Sequence, residues 1–380
     1  LLQRKEIMKL DMFKMERMQS LWENAVDYNL SESGVHPLTL NELLSAEEIK
    51  ELTGVELGYT QTNGTPPLRQ QIARLYPGID PENIMVTAGS SEANFLLMWS
   101  LIEPGDKVVF ELPNYLQMWG LAKAFGARVE PLWLKEELGW QPAPEDINRV
   151  ITPGTKLVIL TNPNNPTGSI LKPGLREKII QRVEEAGAWL IADEVYRGAE
   201  ISGEETASFY GQLKQVAVVG GLSKAYGLPG LRLGWLAGPG ELVRKIWTYH
   251  DYTTISVSAL TDHLAAKALE PDRRLKLLNR TRDIIRHNLP LLEKWLQSFG
   301  LQFSYQAPSA GAILFTAYNY DYNSTRLVEQ ILKEKNVLLV PGDHFELDRH
   351  LRLGFGSRPE YLQAGLGRVA EFLTELNKKR

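Results

Sequence analysis

From about residue 83 to residue 238 the chain alternates short apolar runs with longer amphipathic stretches. The runs are "NIMVTAG", "KVVFELP", "RVEPLWL", "KLVILTNP", "AWLIADE", "QVAVVGG" and "GWLAGP". Several are continuously apolar and β-branched, the pattern of strands covered on both faces. Between them, segments such as "SSEANFLLMWSLI" and "GLREKIIQRVEEAG" carry apolar residues at helical spacing. This alternation predicts a mainly parallel α/β sheet. Beyond Glu241 the character changes to long charged helices, "ELVRKIWTYHDY" and "DRRLKLLNRTRDIIRHNLPLLEKWLQSFG". Strand-like "AILFTAY", a helix "TRLVEQILKEKN", strands near "VLLVPG" and "LRLGFG" and a closing helix follow. The pattern predicts a large α/β domain followed by a smaller α+β one.

Composition narrows the classes. A chain of 380 residues can bury a large core and favours two domains. A formal charge of −4 supplies no broad basic field, so nucleic acid is not an expected partner. The longest apolar run, Phe95 to Ile102 with Ser100 inside it, is too short to span a bilayer, and no membrane partner is expected. Leu1 to Ser20 is charged and Met-rich and reads as an amphipathic segment, not a cleavable signal. The absence of cysteine excludes disulfides, thiolate nucleophiles and Cys-ligated metals, and agrees with a reducing cytoplasm. Among six histidines, His344 and His350 lie close in sequence but match no zinc spacing; both read as surface residues, and no metal site is expected. The phosphate-loop pattern GxxxxGK[ST] and the pattern GxGxxG are both absent, which disfavours nucleotide enzymes of those kinds.

Ligands of open α/β sheets gather at the carboxyl ends of the strands, so the residues just past each run carry the chemistry. After "NIMVT" comes Ala88-Gly89-Ser90-Ser91, opening a helix whose amides, dipole and two hydroxyls suit an anion; a plain serine cap is the competing reading. After "KLVILT" comes "NPNNPTG", residues 162–168, two Asn-Pro steps that fix the backbone and aim asparagine amides. After "AWLIA" stands Asp193, followed by Tyr196, a carboxylate whose burial demands a facing cation or donor unless it is an ordinary surface acid. After "QVAVVGG" come Ser223 and Lys224, with Arg232 eight residues on among glycines. A lysine amine, a carboxylate, an asparagine and an anion cradle at one sheet edge match pyridoxal 5′-phosphate. That cofactor needs an amine for its aldehyde, an acid at its ring nitrogen, a donor at its phenolate and a phosphate site.

"GLSKAYGLPGLRLG" resembles the lysine signature of the class I/II aminotransferases, fold-type-I pyridoxal-phosphate enzymes. "GYTQTNGTPPLRQQIA", "VTAGSSEAN", "PGDKVVFELPNY", "NPNNPTG", "ADEVY", "PSAGAILF" and "LRLGFG" match in the same order. The resemblance implies a seven-stranded, mostly parallel large domain and a small α+β domain drawn from both chain ends. The expected division is 1–45 as an arm and part of the small domain, 46–255 as the cofactor-binding domain and 256–380 as the rest of the small domain. It further implies a homodimer with shared active sites, acting on an α-amino acid and a 2-oxo acid. Lys224 would link the cofactor and then shuttle protons, and Asp193 would partner the ring nitrogen. Tyr115 would stack on the ring, and Asn165 and Tyr196 would contact the phenolate, with a cis Asn165–Pro166 bond. Ser90, Ser91, Ser223 and Arg232 would hold the phosphate, joined by Tyr59 from the neighbouring subunit. Arg352 would clamp the substrate α-carboxylate, and Asn165 and Gly34 are the other expected substrate-binding residues. One departure is Gly221, three residues before the lysine, where a serine is common; fewer phosphate contacts follow from it.

The fold supports several reactions. The carboxylate clamp argues against decarboxylation, and the family resemblance favours transamination. A competing expectation is lyase or cyclase chemistry. It comes from "NLSESGVHPLTLNELL", residues 29–44, which resembles the loop of the capreomycidine synthase branch, where elimination and conjugate addition close a ring on a β-hydroxylated arginine. Glu32, Ser33 and His36 are then candidate contacts to the substrate side chain, the plain alternative being a connector. A catalytically idle relative would lack the lysine or carry a fused DNA-binding domain; this chain has the lysine and no segment for such a domain.

Overall fold

The computed structural model describes residues 9–378; the first eight residues of the amphipathic segment read at 1–20 lie outside them. The large sheet has the spatial order Ile84–Thr87, Gly234–Ala237, Val216–Gly221, Trp189–Asp193, Thr155–Thr161, Lys107–Leu112, Arg128–Lys135 and Gln141–Pro142. Gly234–Ala237 runs antiparallel to both neighbours, and the next five strands of that order are mutually parallel. The two-residue strand Gln141–Pro142 adds an antiparallel edge to the seven expected strands.

The continuous apolar runs have a direct cause. Val109, Val158, Leu190 and Val218 face one apolar layer, while Val108, Phe110, Ile159, Ile191 and Val219 face another. With both faces covered, the alternation of a half-exposed strand has no place. The helix Ser90–Leu101 lies in the second layer, with Ala93, Leu96, Leu97, Met98 and Leu101 all buried.

A second sheet has the order Phe303–Tyr305, Ile313–Tyr318, His350–Gly354 and Val340–Pro341, all antiparallel. Near the other end of the chain, Tyr28–Asn29 pairs in parallel with Val337–Leu338. The run "VLLVPG" is therefore two short strands serving different neighbours, because the chain crosses from one pairing to the other at Leu339. Residues after Asn29 continue along the small sheet: Leu30 N–H donates to Leu338 O at 2.9 Å, and Gly354 N–H donates to Leu30 O at 2.8 Å. That pins the loop carrying Glu32, Ser33 and Gly34 beside the strand carrying Arg352.

The histidine expectation needs correction. His344 is 7% exposed, and the half-buried His350 ring stacks on Phe315 at 4.9 Å. Both lie in or near the small apolar cluster around Phe315 and Phe345, where an imidazole packs as an aromatic with a polar edge. Among the described residues, no helix is long and apolar enough to cross a membrane.

Candidate active site

Each strand of the parallel set ends at one edge of the sheet, and a cavity of about 440 Å³ opens there. Its walls include Ser90, Ser91, Tyr115, Asn165, Asp193, Tyr196, Ser223, Lys224, Arg232 and Arg352. Ten of the residues expected at the site therefore share one space.

Lys224 follows the strand Val216–Gly221, and its Nζ stands 3.1 Å from Glu32 Oε1. Burial pulls the ammonium down, but the charge of Glu32, with Tyr196 behind it, holds its pKa above the ordinary lysine value. In return the Lys224 charge, against the cost of burial, holds the Glu32 carboxyl down to about 2. Glu32 Oε1 also accepts from Ser33 N–H at 2.9 Å and Gly34 N–H at 3.0 Å.

Asp193 closes the strand Trp189–Asp193. Burial pushes its carboxyl up to about 6, against the pull of the Val195 amide at 3.1 Å and the Asn94 amide at 3.4 Å. Those donors do not complete its pairing, so a cationic N–H seated against it would hold it ionised.

Three elements build an anion cradle. The helix Ser90–Leu101 begins after Gly89, at φ 83°, with no side chain capping it, so its first amides are open. Arg232 sits in the left-handed region at φ 47° after the short helix Pro229–Leu231, a strained position of the kind found at ligand sites. A Cβ at Gly89 would lie 2.8 Å from Arg232 Nη2, so glycine here lets the guanidinium approach the helix start.

Arg352, in the strand His350–Gly354, is 1% exposed. It donates from Nη1 to Asn165 Oδ1 at 2.9 Å and from Nη2 to Ser31 O at 2.6 Å, and its buried Nε has no partner. Among the described residues no carboxylate forms a salt bridge with it. A buried guanidinium held by neutral acceptors calls for an anionic ligand. Asn165 spends its oxygen on Arg352, and its Nδ2 is left as a donor. The Asn165–Pro166 bond is cis, as are Asn162–Pro163 and Leu112–Pro113.

Tyr115 lines the cavity, packs edge-on against Phe13 and donates to Glu16 Oε1 at 2.8 Å. Ser33 and Glu32 line the cavity as well, whereas the His36 ring turns to Gly356 O at 3.2 Å. Gly34 is buried beneath the lysine turn, where a Cβ would lie 3.3 Å from Ser223 O; it does not line the cavity. Tyr59 is 89% exposed and also lies outside it.

Asn94, Glu16, Gln19, Glu23 and, behind the asparagine loop, Glu111 were not read as site residues. Asn94 follows Ser90 by four positions, one helical turn, which is a usable signal. Glu16, Gln19 and Glu23 share a helical face, but nothing in the sequence tells which way that face turns. The donor set fits pyridoxal 5′-phosphate in kind: an amine, a buried acid, amide and phenol donors, and an anion cradle converge on one cavity.

The family described as aminotransferase class I and II matches residues 27–369. Capreomycidine synthase from Streptomyces vinaceus is 34% identical, over 91% of this chain and 89% of that protein. A pyridoxal-phosphate-dependent aminotransferase from Streptococcus suis superposes with a TM-score of 0.90 at 34% identity, covering 97% of this chain and 98% of that one. The pyridoxal-phosphate-dependent cyclase OrfR superposes with a TM-score of 0.89 at 28% identity, covering 99% of this chain and 100% of that one. With a match of this extent around a cavity so equipped, the chain belongs to the class I and II aminotransferases, pyridoxal-phosphate enzymes that move an amino group between α-amino and 2-oxo acids.

Proposed function

We propose that this cavity exchanges the amino group of an α-amino acid, clamped by Arg352, through Lys224. The observation that carries the reading is Arg352, a buried cation without a carboxylate partner in the same cavity as the lysine. Pyridoxal 5′-phosphate, when bound, supplies the aldehyde that takes up the amino group and a ring that stores the electron pair released at the substrate Cα. Ser90, Ser91, Ser223 and Arg232 would hold its phosphate, the arginine supplying a guanidinium suited to phosphate. Asp193 would favour a proton on the ring nitrogen by opposing charge, and Tyr115 would pack beside the ring. Asn165 and Tyr196 donate to the phenolate oxygen. Lys224 Nζ, freed once substrate binds, takes the proton from Cα and delivers it on the other side of the exchange. Arg352 fixes the α-carboxylate so that the Cα–H bond faces that amine.

The exposure of Tyr59 supports a homodimer in which it reaches the neighbour's phosphate site. Leu57, two residues before it, is 79% exposed as well. The absence of cysteine supports a cytoplasmic setting.

A second reading, elimination with ring closure, draws support from the likeness to capreomycidine synthase and from Glu32 and Ser33 lining the cavity. One experiment separates the two. Purified holoenzyme is given a panel of amino acids with and without a 2-oxo acid. Aminotransfer yields one equivalent of oxo acid per site without acceptor and steady turnover with it. Ammonia or a cyclic product formed steadily without acceptor establishes the second reading. Lys224→Ala abolishes both, together with the long-wavelength absorbance of the lysine-linked cofactor; turnover that survives this change overturns the assignment of Lys224.

A further inference from the structure

The turn that opens the helix Ser90–Leu101 is held by a residue that does not line the cavity. Gly89 has no side chain to cap that helix, and Glu92, its third residue, reaches back instead. Glu92 Oε2 accepts from Ala88 N–H at 2.6 Å, one residue before the N-cap amide that such a bond usually takes. Gly89 O accepts from the Thr87 hydroxyl at 2.9 Å and from Glu92 N–H at 3.2 Å. The turn is thus fixed while no side chain caps the helix, so the Ser90 and Ser91 amides stay open to an anion.

Glu92 is itself aimed by a segment distant in sequence. Its Oε1 accepts from the Thr253 hydroxyl at 2.5 Å, the Thr254 hydroxyl at 2.7 Å and Thr254 N–H at 3.3 Å. Buried His250, last in the helix Gly240–His250, places Nε2 3.5 Å from Glu92 Oε2 and 3.0 Å from the Thr254 hydroxyl. Burial works against the charge, yet the bonds from His250, Thr253, Ala88 and Thr254 hold the Glu92 carboxyl down to about 2. A negative charge in the first turn competes with any anion for the helix dipole. A carboxylate beside an anion cradle therefore calls for a geometric reason, and its bond to Ala88 supplies one.

We infer that Glu92 is a positioning residue for the phosphate cradle. By holding the Ala88 amide, and by being held from Thr253 and Thr254, it sets the aim of the Ser90 and Ser91 amides. This rests on the reading of that helix start as the phosphate site and adds the device that orients it.

Pyridoxal 5′-phosphate against pyridoxal tests it, because the two ligands differ only in the phosphate. The full-length protein, freed of cofactor, is titrated with each by fluorescence, and the ratio of the two affinities reads the cradle. General loosening of the fold lowers both affinities and leaves the ratio where it was. Glu92→Leu is expected to lower the ratio about 10- to 100-fold, the worth of a hydrogen bond to a charged group. A carboxylate acting only through its charge predicts the opposite sign, since its removal would tighten phosphate binding. Glu92→Gln keeps an oxygen for Ala88 and an amide that a threonine hydroxyl can accept from, so it restores most of the ratio. Thr253→Val with Thr254→Val, both exposed and outside the cavity, lowers the ratio about 3- to 10-fold and carries the test should Glu92→Leu not fold. A ratio unchanged or raised in Glu92→Leu and in the threonine variant overturns the inference, as does a Glu92→Gln protein as weak as Glu92→Leu. Ser90→Ala with Ser91→Ala reports on the cradle itself. A ratio lowered there and unchanged in the Glu92 variants overturns the role of Glu92 alone, whereas a ratio unchanged in all of them removes the phosphate from this helix start.

Discussion

Glu111 is 1% exposed, and its Oε2 accepts from Thr161 N–H at 2.9 Å, Asn164 Nδ2 at 3.0 Å and Asn114 Nδ2 at 3.2 Å. It thereby ties the loop after Thr161, which carries Asn165, to the turn before Tyr115. No salt bridge compensates it among the described residues, and burial pushes its carboxyl up to about 8, against the pull of Thr161 and Asn164. The folded pKa lies above the unfolded one, so the folded state binds the extra proton between about 4.5 and about 8. The stabilisation is complete below that window and is lost as pH rises through it. Glu111→Gln keeps an accepting oxygen and has no proton to lose. Its melting temperature is expected to exceed that of the wild type by a few degrees above pH 8 and to fall less steeply between pH 5 and 8. Asp193 and Glu194, held up at about 6 and about 7 by burial, titrate in the same window, so the difference between the two melting curves isolates Glu111. Superimposable curves would remove Glu111 from this role. Its sequence context, "VVFELP", reads as a strand with one ordinary acid, because burial of a single side chain leaves no mark in a run of six.

The contact between the strand Gly234–Ala237 and the start of the helix Ser90–Leu101 is backbone against backbone. A Cβ at Gly234 would press into Gly89 C and Ser90 N and Cα, atoms that cannot swing aside. Gly234→Ala is therefore expected to push the helix start away from Arg232, lower stability by roughly 1–3 kcal/mol and weaken cofactor binding at least about tenfold. Cofactor affinity measured by fluorescence titration checks this, and wild-type affinity would mean that the helix start and the strand move together. At this scale much was legible. The strands of the large sheet follow from apolar runs bounded by turn residues, and the chemistry follows from what stands just past them. What escaped was local in a different way. The split at Leu339 depends on two partners far apart in sequence, one near residue 28 and one near residue 351. The acidic face of Lys14–Trp22 needs the tertiary fold to aim it. Periodicity tells which residues share a face and not what that face meets.

The proposed role of Tyr59 is a matter for the whole molecule. Its aromatic side chain, 89% exposed, contributes little to the core of its own chain and does not line that chain's cavity. The sequence places it by resemblance, since an exposed tyrosine has no periodic signature. If it serves the phosphate of a second copy, the site is isologous: each cavity takes Lys224 from one chain and Tyr59 from the other. Tyr59→Ala alone then weakens cofactor binding about 10- to 100-fold through one lost bond to a charged group. Mixing makes the sharper case. Lys224→Ala and Tyr59→Ala proteins, unfolded together and refolded in equal amounts, pair at random. Half the dimers are then mixed, and each mixed dimer holds one cavity with both wild-type residues, so activity at limiting cofactor rises to about one quarter of the wild-type value. Homodimers of either variant contain no intact cavity. Activity that stays at the sum of the two separate preparations, while sedimentation shows mixed dimers, would mean that Tyr59 serves its own chain or none.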